Sequence, residues 1–280
     1  MTLLLGRRVR VQIGLPGEVG IELNATPENG GEGPEIGFQV DHKLDGKPNK
    51  ATVEIWNPPR GAFQLAQRSD CLVRLFAGYD VPKLAFQGNP LPRYGAAVEL
   101  VGGDRVLRIL AQDGRRAYQQ ADISRSWGTD VLLSEVVARI GVDMGTPVAP
   151  LPEAMGSQTL PQGITLSGSP RNALKALSAA IGAVAMVRDG VLYVVPEGEA
   201  TGEAVIVFSP VQGNCLKVTP QKDGIISMMG NLDASLRPGR RFVIKDHADF
   251  SGTYKARDVS FKGSRGYDTD FNVTVTGRAI

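Results

Sequence analysis

The stretch from Phe38 to Asn57 decides the fold, and it reads FQVDHKLDGKPNKATVEIWN. In its second half, the apolar residues Ala51, Val53 and Ile55 are separated by single polar residues. Such alternation is typical of a strand that buries one face, because successive side chains point to opposite sides. Residues 44–49 contain Asp, Gly, Pro and Asn, which favour a turn. The stretch therefore predicts two strands joined by a turn.

The same pattern extends to both sides of this stretch. From Arg7 to about Leu110, short alternating runs are separated by Gly, Pro, Asn and Asp, and similar runs return from about Thr201. Closely spaced strands with few helical windows favour a barrel or a sandwich over a parallel sheet with crossover helices. We therefore predict two β-barrel domains, residues 1–110 and 200–280.

The middle of the chain, residues 111–199, has a different pattern. Thr129 precedes apolar residues at helical spacing, and Gly141 follows them as a candidate stop. A second helix is predicted from Ser169-Pro170, which supply a capping hydroxyl and a proline at the first helical position, to about Gly182. Both helices lie between the two β regions, which indicates a small helix-containing insert.

Asp189-Gly190 lies directly after the second predicted helix, between two apolar runs. An Asp-Gly pair in this setting is a strong signal for a two-residue hairpin. The predicted fold class is therefore mainly β, with two β-barrel domains that flank a small α+β domain.

Composition excludes several classes of protein. Lys and Arg total 31 and Asp and Glu total 29, so no strong net charge favours a dedicated nucleic-acid binder. Cys71 and Cys215 are far apart and lack metal-ligand spacing, which favours a reducing compartment over a disulfide scaffold. The longest uncharged apolar stretch, Ala176 to Val187, has 12 residues, too few to span a bilayer.

A search for catalytic and cofactor motifs finds none of the common ones, such as a phosphate-binding loop or a zinc-binding HExxH. The groups Asp246-His247 with Asp249 and Asp268 with Asp270 could each in principle hold a metal ion, but a polar turn and a solvated strand edge are the favoured interpretations. The basic run Arg237 to Arg241 is interpreted as a turn with its charges in water. We therefore predict no catalytic, cofactor-binding or metal-binding residues.

Trp56 and Trp127 are the two tryptophans of the chain. Trp56 follows the alternating strand of the first paragraph, and Trp127 comes just before the first predicted helix. Packing in a core or at a hinge is the favoured interpretation of both, ahead of ligand stacking.

Several motifs in this order resemble the phage baseplate hub proteins. In the first half these are the stretch from Phe38 to Asn57, the run VRLFAGY at residues 73–79 and the run AFQG at residues 85–88. Downstream, the matches are ISRSWGT at residues 123–129, LSGSPRNAL at residues 166–174, LDASLRPGR at residues 232–240, GTYKA at residues 252–256, and Val259. The resemblance covers residues from about 36 to 280.

The resemblance implies a fold and a role that the residues alone do not. It implies a homotrimer at the tip of a tail tube, in which two tube-like β-domains per chain match a hexameric tube on one side and a trimeric spike on the other. Such a protein is a symmetry adaptor in the baseplate of the virion, made in the host cytoplasm. It is not an enzyme, it contacts tube, spike, tape measure and other baseplate proteins, and it lets DNA pass without specific binding.

Two other functions remain open at this point. One is a carbohydrate- or peptidoglycan-active β-protein that uses Asp268 and Asp270. The other is the hub of a phage-derived contractile injection system, which would share the same architecture.

Overall fold

Most of the chain folds into strands, as the alternating runs predict. The structure is a computed structural model that describes residues 6–18, 20–25, 33–119, 121–198, 200–264 and 270–280. The first elements are strands β1 (Arg7–Gly14), β2 (Ile21–Ala25), β3 (Ile36–Lys43) and β4 (Lys50–Trp56), helix α1 (Ala62–Ala66), and strands β5 (Leu72–Tyr79), β6 (Lys83–Pro90), β7 (Ala96–Val101) and β8 (Asp104–Gln112).

The middle elements alternate between short strands and helices. They are α2 (Arg115–Gln119), β9 (Ile123–Trp127), β10 (Val131–Leu132), α3 (Leu133–Asp143), α4 (Glu153–Gly156), β11 (Thr159–Leu160), β12 (Ile164–Gly168), α5 (Pro170–Ile181), β13 (Ala183–Arg188) and β14 (Val191–Pro196). The last elements are again strands: β15 (Ile206–Phe208), β16 (Cys215–Pro220), β17 (Ile225–Asn231), β18 (Arg241–Ile244), β19 (Gly252–Ser264) and β20 (Phe271–Ala279).

Strand β3 pairs with β19 and joins the two β regions into one sheet. The register places Val40 opposite Phe261 and Asp41 opposite Ser260. Within the described residues, the strand path runs β16-β17-β20-β19-β3-β4-β8-β6-β5-β1-β2, with β15, β18 and β7 attached at its sides. Within this part of the chain the path ends at β16 and at β2, so the sheet is not closed.

Two apolar cores correspond to the β regions and to the middle of the chain. The larger core combines buried residues of both β regions, among them Phe38, Phe86, Phe242 and Phe261. The smaller core is formed by residues between Ala117 and Val194. The predicted fold class, mainly β with a small α+β module, is confirmed.

The helices of the module follow the predicted capping signals in one case and depart from them in the other. Helix α5 begins after Ser169, whose hydroxyl accepts the Asn172 backbone N–H, and ends at Gly182 with φ +62°. Helix α3, however, continues past Gly141 to Asp143. Gly141 is a packing position instead of a stop, since a Cβ there would lie 2.4 Å from Cγ2 of Val148.

The helices of this fold are short. Helix α5, from Pro170 to Ile181, has 12 residues. No helix within the described ranges is long and apolar enough to cross a membrane.

Candidate functional site

The hairpin turn between β13 and β14 connects all three parts of the chain. Asp189 and Gly190 have φ values of +50° and +82°, as expected for an Asp-Gly hairpin turn. The Asp189 carboxylate accepts the backbone N–H of Gln87 at 3.0 Å and Nε of Arg237 at 3.2 Å. Nε2 of Gln87 also donates to the Asp189 backbone carbonyl at 3.1 Å. One turn residue of the module thus binds β6 and the loop before β18.

Arg237 is buried at this junction, with 8% of its side chain exposed. Its guanidinium donates to the carbonyls of Leu84 at 2.6 Å, Leu236 at 3.0 Å and Ala234, and it lies over the ring of Phe261. The interpretation of Arg237 to Arg241 as a turn with charges in water is therefore wrong for Arg237. The turn exists, but its backbone carbonyls and Asp189 replace the water that this cation would otherwise need.

His42 is buried beside the same guanidinium and is 1% exposed. Nε2 lies 2.9 Å from the Ala85 carbonyl, so this nitrogen carries the proton and donates it. Burial, together with the nearby positive charge of Arg237, lowers the pKa of His42 from 6.5 to about 4. The imidazole is consequently neutral at pH 7 and serves as a hydrogen-bond donor between β3 and β6.

A second buried pair fixes the turn before β4. The Asp113 carboxylate accepts the backbone N–H of Asn49 at 2.7 Å and its Nδ2 at 2.6 Å. The side-chain oxygen of Asn49, Oδ1, in turn accepts the Lys43 backbone N–H at 2.8 Å. Burial raises the pKa of Asp113 to about 7, against the opposing effect of the Asn49 hydrogen bonds. Asn49 thus acts as a polar bridge between β3 and the end of β8.

Arg188 provides a further connection from the module to the C-terminal region. Its guanidinium donates to Glu203 at 3.1 Å and to the Pro238 carbonyl at 3.4 Å, and it stacks 3.9 Å above the ring of Tyr193. Arg188 and Arg237 therefore insert two buried cations between the module and the last strands.

One face of the large sheet carries polar side chains that pair with each other. Arg108 on β8 binds Glu54 on β4 at 2.9 Å and Glu99 on β7 at 3.3 Å. Ser260 on β19 donates to Asp41 on β3 at 2.7 Å. Arg108 is thus paired with two carboxylates of the chain, and Asp41 accepts a hydroxyl group.

The predicted carboxylate pair Asp268 and Asp270 is described only in part. Asp268 lies outside the described residues. Asp270, which directly precedes β20, forms an ion pair with Nζ of Lys262 on β19 at 2.6 Å. This geometry places the Asp270 carboxylate against a cation of the chain.

The other predicted candidates lie apart from any metal-like geometry. Asp246 accepts the Ser209 hydroxyl at 2.7 Å, while Nδ1 of His247 accepts the backbone N–H of Asp249 at 3.2 Å. Among the residues that the structure describes, no group of three or more His, Cys, Asp or Glu side chains could hold a metal ion. Cys71 and Cys215 are both buried free thiols.

The two tryptophans occupy different surroundings. Trp127 packs against the smaller core from the end of β9. Trp56 is half-buried on the polar face of the large sheet, where it lines a shallow groove with Glu54 and Lys262.

Strands β2, β7 and β16 are potential assembly edges. Within the described part of the chain, each pairs with a neighbour on one side only. Large apolar side chains are exposed near these edges, with Leu100 on β7 at 78% and Leu216 on β16 at 57%. Exposed strand edges and apolar side chains are common features of surfaces that bind another chain.

Sequence reasoning missed the buried junction around Asp189 and Arg237. The sequence predicts Asp189 as a turn residue, but its hydrogen bonds to Gln87 and Arg237 join segments that are distant in the chain. Asp113 and Asn49 carry no local signal beyond turn chemistry. The one sequence feature that could have indicated this junction is Asp189, an acidic residue in a turn between two apolar runs.

Comparisons with known proteins agree with this architecture. No protein-family model matches the chain, and no curated protein matches its sequence. Among solved structures, a tail protein from Neisseria meningitidis MC58 superposes with a TM-score of 0.63 at 10% identity, over 96% of each chain. The 43 kDa tail protein of prophage MuSo2 from Shewanella oneidensis gives a TM-score of 0.63 at 7% identity, again over 96% of each chain.

A third similar structure belongs to a different kind of assembly. The E. coli c3393 protein is described as a component of the type VI secretion system with structural similarity to the T4 bacteriophage tail proteins gp27 and gp5. It superposes with a TM-score of 0.58 at 9% identity, over 88% of this chain and 73% of that one. The resemblance to the phage tail hub proteins is thus confirmed at the level of the fold, which this chain shares with phage tail proteins along nearly its whole length.

Proposed function

We propose that this protein is the structural hub of a phage tail baseplate. The observation that carries the proposal is the shared fold with two tail proteins over 96% of both chains, which leaves little of either chain unmatched. The sequence motifs that resemble hub proteins support the same role independently of the superposition.

In this proposal three copies form a ring that joins a hexameric tail tube to a trimeric spike. Each copy supplies two tube-like β-domains, residues 1–110 and 200–280, around the α+β domain of residues 111–199. The one-sided pairing of β2, β7 and β16 supports this arrangement, because closed symmetry covers such edges. Tube, spike, tape measure and other baseplate proteins are the proposed partners, in the virion.

Two ion-paired cations on the polar face of the large sheet support a role in DNA passage. Arg108 and Lys262 are each bound to carboxylates of the chain. Cations paired in this way contribute less to phosphate binding, and weak phosphate binding lets a polyanion slide. We therefore propose that DNA passes the hub without specific binding.

The proposed role is structural, with no catalytic step. The buried titratable groups support it, since His42, Asp113 and Arg237 bind backbone or side-chain groups of the chain. Such engagement is the pattern expected of groups that hold a scaffold together.

A related assembly is the second candidate. The superposition with the type VI secretion component c3393 supports this candidate, the hub of a phage-derived contractile injection system. The hub architecture would be the same, and only the cargo would differ.

The test is the mass of the purified protein in solution, combined with crosslinking and electron microscopy of the assembled particles. We expect a trimer at the junction between tube and spike. A protein that stays monomeric in solution and in particles would overturn the proposal. The presence or absence of DNA in those particles would separate the two candidate assemblies.

A further inference from the structure

A continuous cleft lies between helix α5 and the ends of β19 and β20. It consists of two grooves of about 590 and 600 Å³, and both have Val184 and Glu197 in their walls. Six basic side chains line this basic cleft, namely Lys47, Arg171, Lys175, Lys255, Arg257 and Arg278. Among the residues that the structure describes, two acidic side chains, Asp45 and Glu197, line it with them.

The β19–β20 wall of the basic cleft brings like charges together. Lys255 and Arg278 lie directly opposite each other in the antiparallel register. Arg257 occupies the irregularity between Ala256 and Asp258, where a bulge redirects the side chain. Like charges opposite each other on neighbouring strands destabilise a sheet. This wall therefore carries a repulsion that a negatively charged ligand would relieve.

Only one of these three charges is engaged by the chain itself. Nζ of Lys255 donates to the carbonyls of Pro196 and Glu197. Arg257 and Arg278 are exposed, and within the described residues neither forms an ion pair. Both guanidiniums are thus available to an external carboxylate.

The α5 wall adds positive charge on one helical face. Arg171 and Lys175 are four residues apart and exposed, so their side chains lie on the same side of α5. Both belong to the first half of the helix, where the peptide dipoles add a partial positive charge. Both walls of the cleft consequently carry positive charge.

Apolar side chains between these walls indicate the kind of ligand. Leu44, Val184 and Ile280 line the groove together with the basic residues, and Leu174 lines its α5 end. A polypeptide can offer carboxylates and apolar side chains together, whereas a nucleic-acid backbone offers only phosphates and sugars to such a surface. We propose that the basic cleft binds an acidic, partly apolar segment of a partner protein.

Fluorescence anisotropy with a labelled synthetic peptide in which glutamate alternates with leucine tests this proposal. The double variant Arg257→Glu with Arg278→Glu should weaken peptide binding by about tenfold or more, since charge reversal turns attraction into repulsion. The matched control is Arg60→Glu with Arg93→Glu, which changes net charge equally at exposed positions outside the cleft. The control should retain the affinity of the unchanged protein within about twofold.

Three results would overturn the proposal. They are equal loss of binding in both double variants, no binding of the peptide by the unchanged protein, or preferential binding of duplex DNA through Arg257 and Arg278. Thermal unfolding of each variant checks that the fold is retained. This test uses the isolated chain, so its outcome is distinguishable from that of the trimer and particle experiments.

Discussion

The carboxylate of Asp189 and the guanidinium of Arg237 form a buried ion pair at 3.2 Å between residues 48 positions apart in the chain. Both side chains are largely excluded from water, with 15% and 8% exposed. Because Asp189 also binds Gln87, the pair holds the α+β module against both β regions.

Asp189→Asn is expected to destabilise the protein by about 2–4 kcal/mol, because it leaves the Arg237 charge buried without its carboxylate. Asn tolerates the left-handed backbone at this position, so the turn itself is retained. The measurement is the free energy of unfolding in urea.

The matched control is Asp223→Asn, which also has a positive φ, at +60°, but is exposed in the turn before β17. We expect a change within about 0.5 kcal/mol there. Equal effects of the two substitutions would contradict the importance of the Asp189–Arg237 pair.

The pH dependence of stability should reveal Asp113 and His42 as opposing groups. The pKa of Asp113 is raised to about 7, so between about pH 4 and 7 the folded state retains a proton that the unfolded state loses. The contribution of Asp113 to the free energy of unfolding therefore falls as pH rises through this range. The pKa of His42 is lowered to about 4, so its contribution rises with pH up to about 6.5. In the unchanged protein, the two opposite pH dependences of the unfolding free energy largely cancel.

Single substitutions should expose each slope. Asp113→Asn should give a stability that rises between about pH 4 and 6.5, and His42→Gln one that falls between about pH 4 and 7, each by at most about 1.4 kcal/mol per pH unit. Unfolding free energies across this range provide the check. Identical pH profiles for both variants would show that these groups do not titrate as described.

Gly141→Ala should destabilise the protein by about 1–3 kcal/mol, because its Cβ would lie 2.4 Å from Cγ2 of Val148 and 2.9 Å from the Thr146 carbonyl oxygen. Gly156→Ala is the control at the end of α4, where a Cβ meets nothing within 4 Å. The control should be neutral or stabilising by up to about 1 kcal/mol. Thermal unfolding of both variants measures this difference, and a neutral Gly141→Ala would contradict the close packing of α3.

Removal of the predicted carboxylate pair, Asp268→Asn with Asp270→Asn, should leave assembly and infectivity of the particles unchanged. Asp270 loses an exposed ion pair with Lys262, whose contribution is at most about 1 kcal/mol. The measurements are particle yield, infectivity and hydrolysis of cell-wall sugars by the purified protein. Loss of infectivity in correctly assembled particles, or hydrolysis that these substitutions abolish, would favour an enzyme instead.

Local patterns in the sequence were sufficient to predict most elements of the fold. The alternation around Val53, the Ser169-Pro170 cap and the Asp189-Gly190 turn depend on side chains and dihedral angles of adjacent residues, so they are readable without distant contacts. The predicted end of α3 is wrong because the role of Gly141 depends on its contact with Val148, which lies after the helix and leaves no local signal. The resemblance to hub proteins likewise came from short motifs in the correct order.

Only the tertiary structure decided how these elements combine. The pairing of β3 with β19 joins segments about two hundred residues apart, and the alternation of each strand is compatible with many partners. The burial of Arg237 and the accumulation of Arg257 and Arg278 beside α5 follow from that pairing and from the position of the module. Sequence determines which face of each strand is apolar, whereas the three-dimensional packing determines which distant charges meet, because electrostatic contacts depend on distance in space and not along the chain.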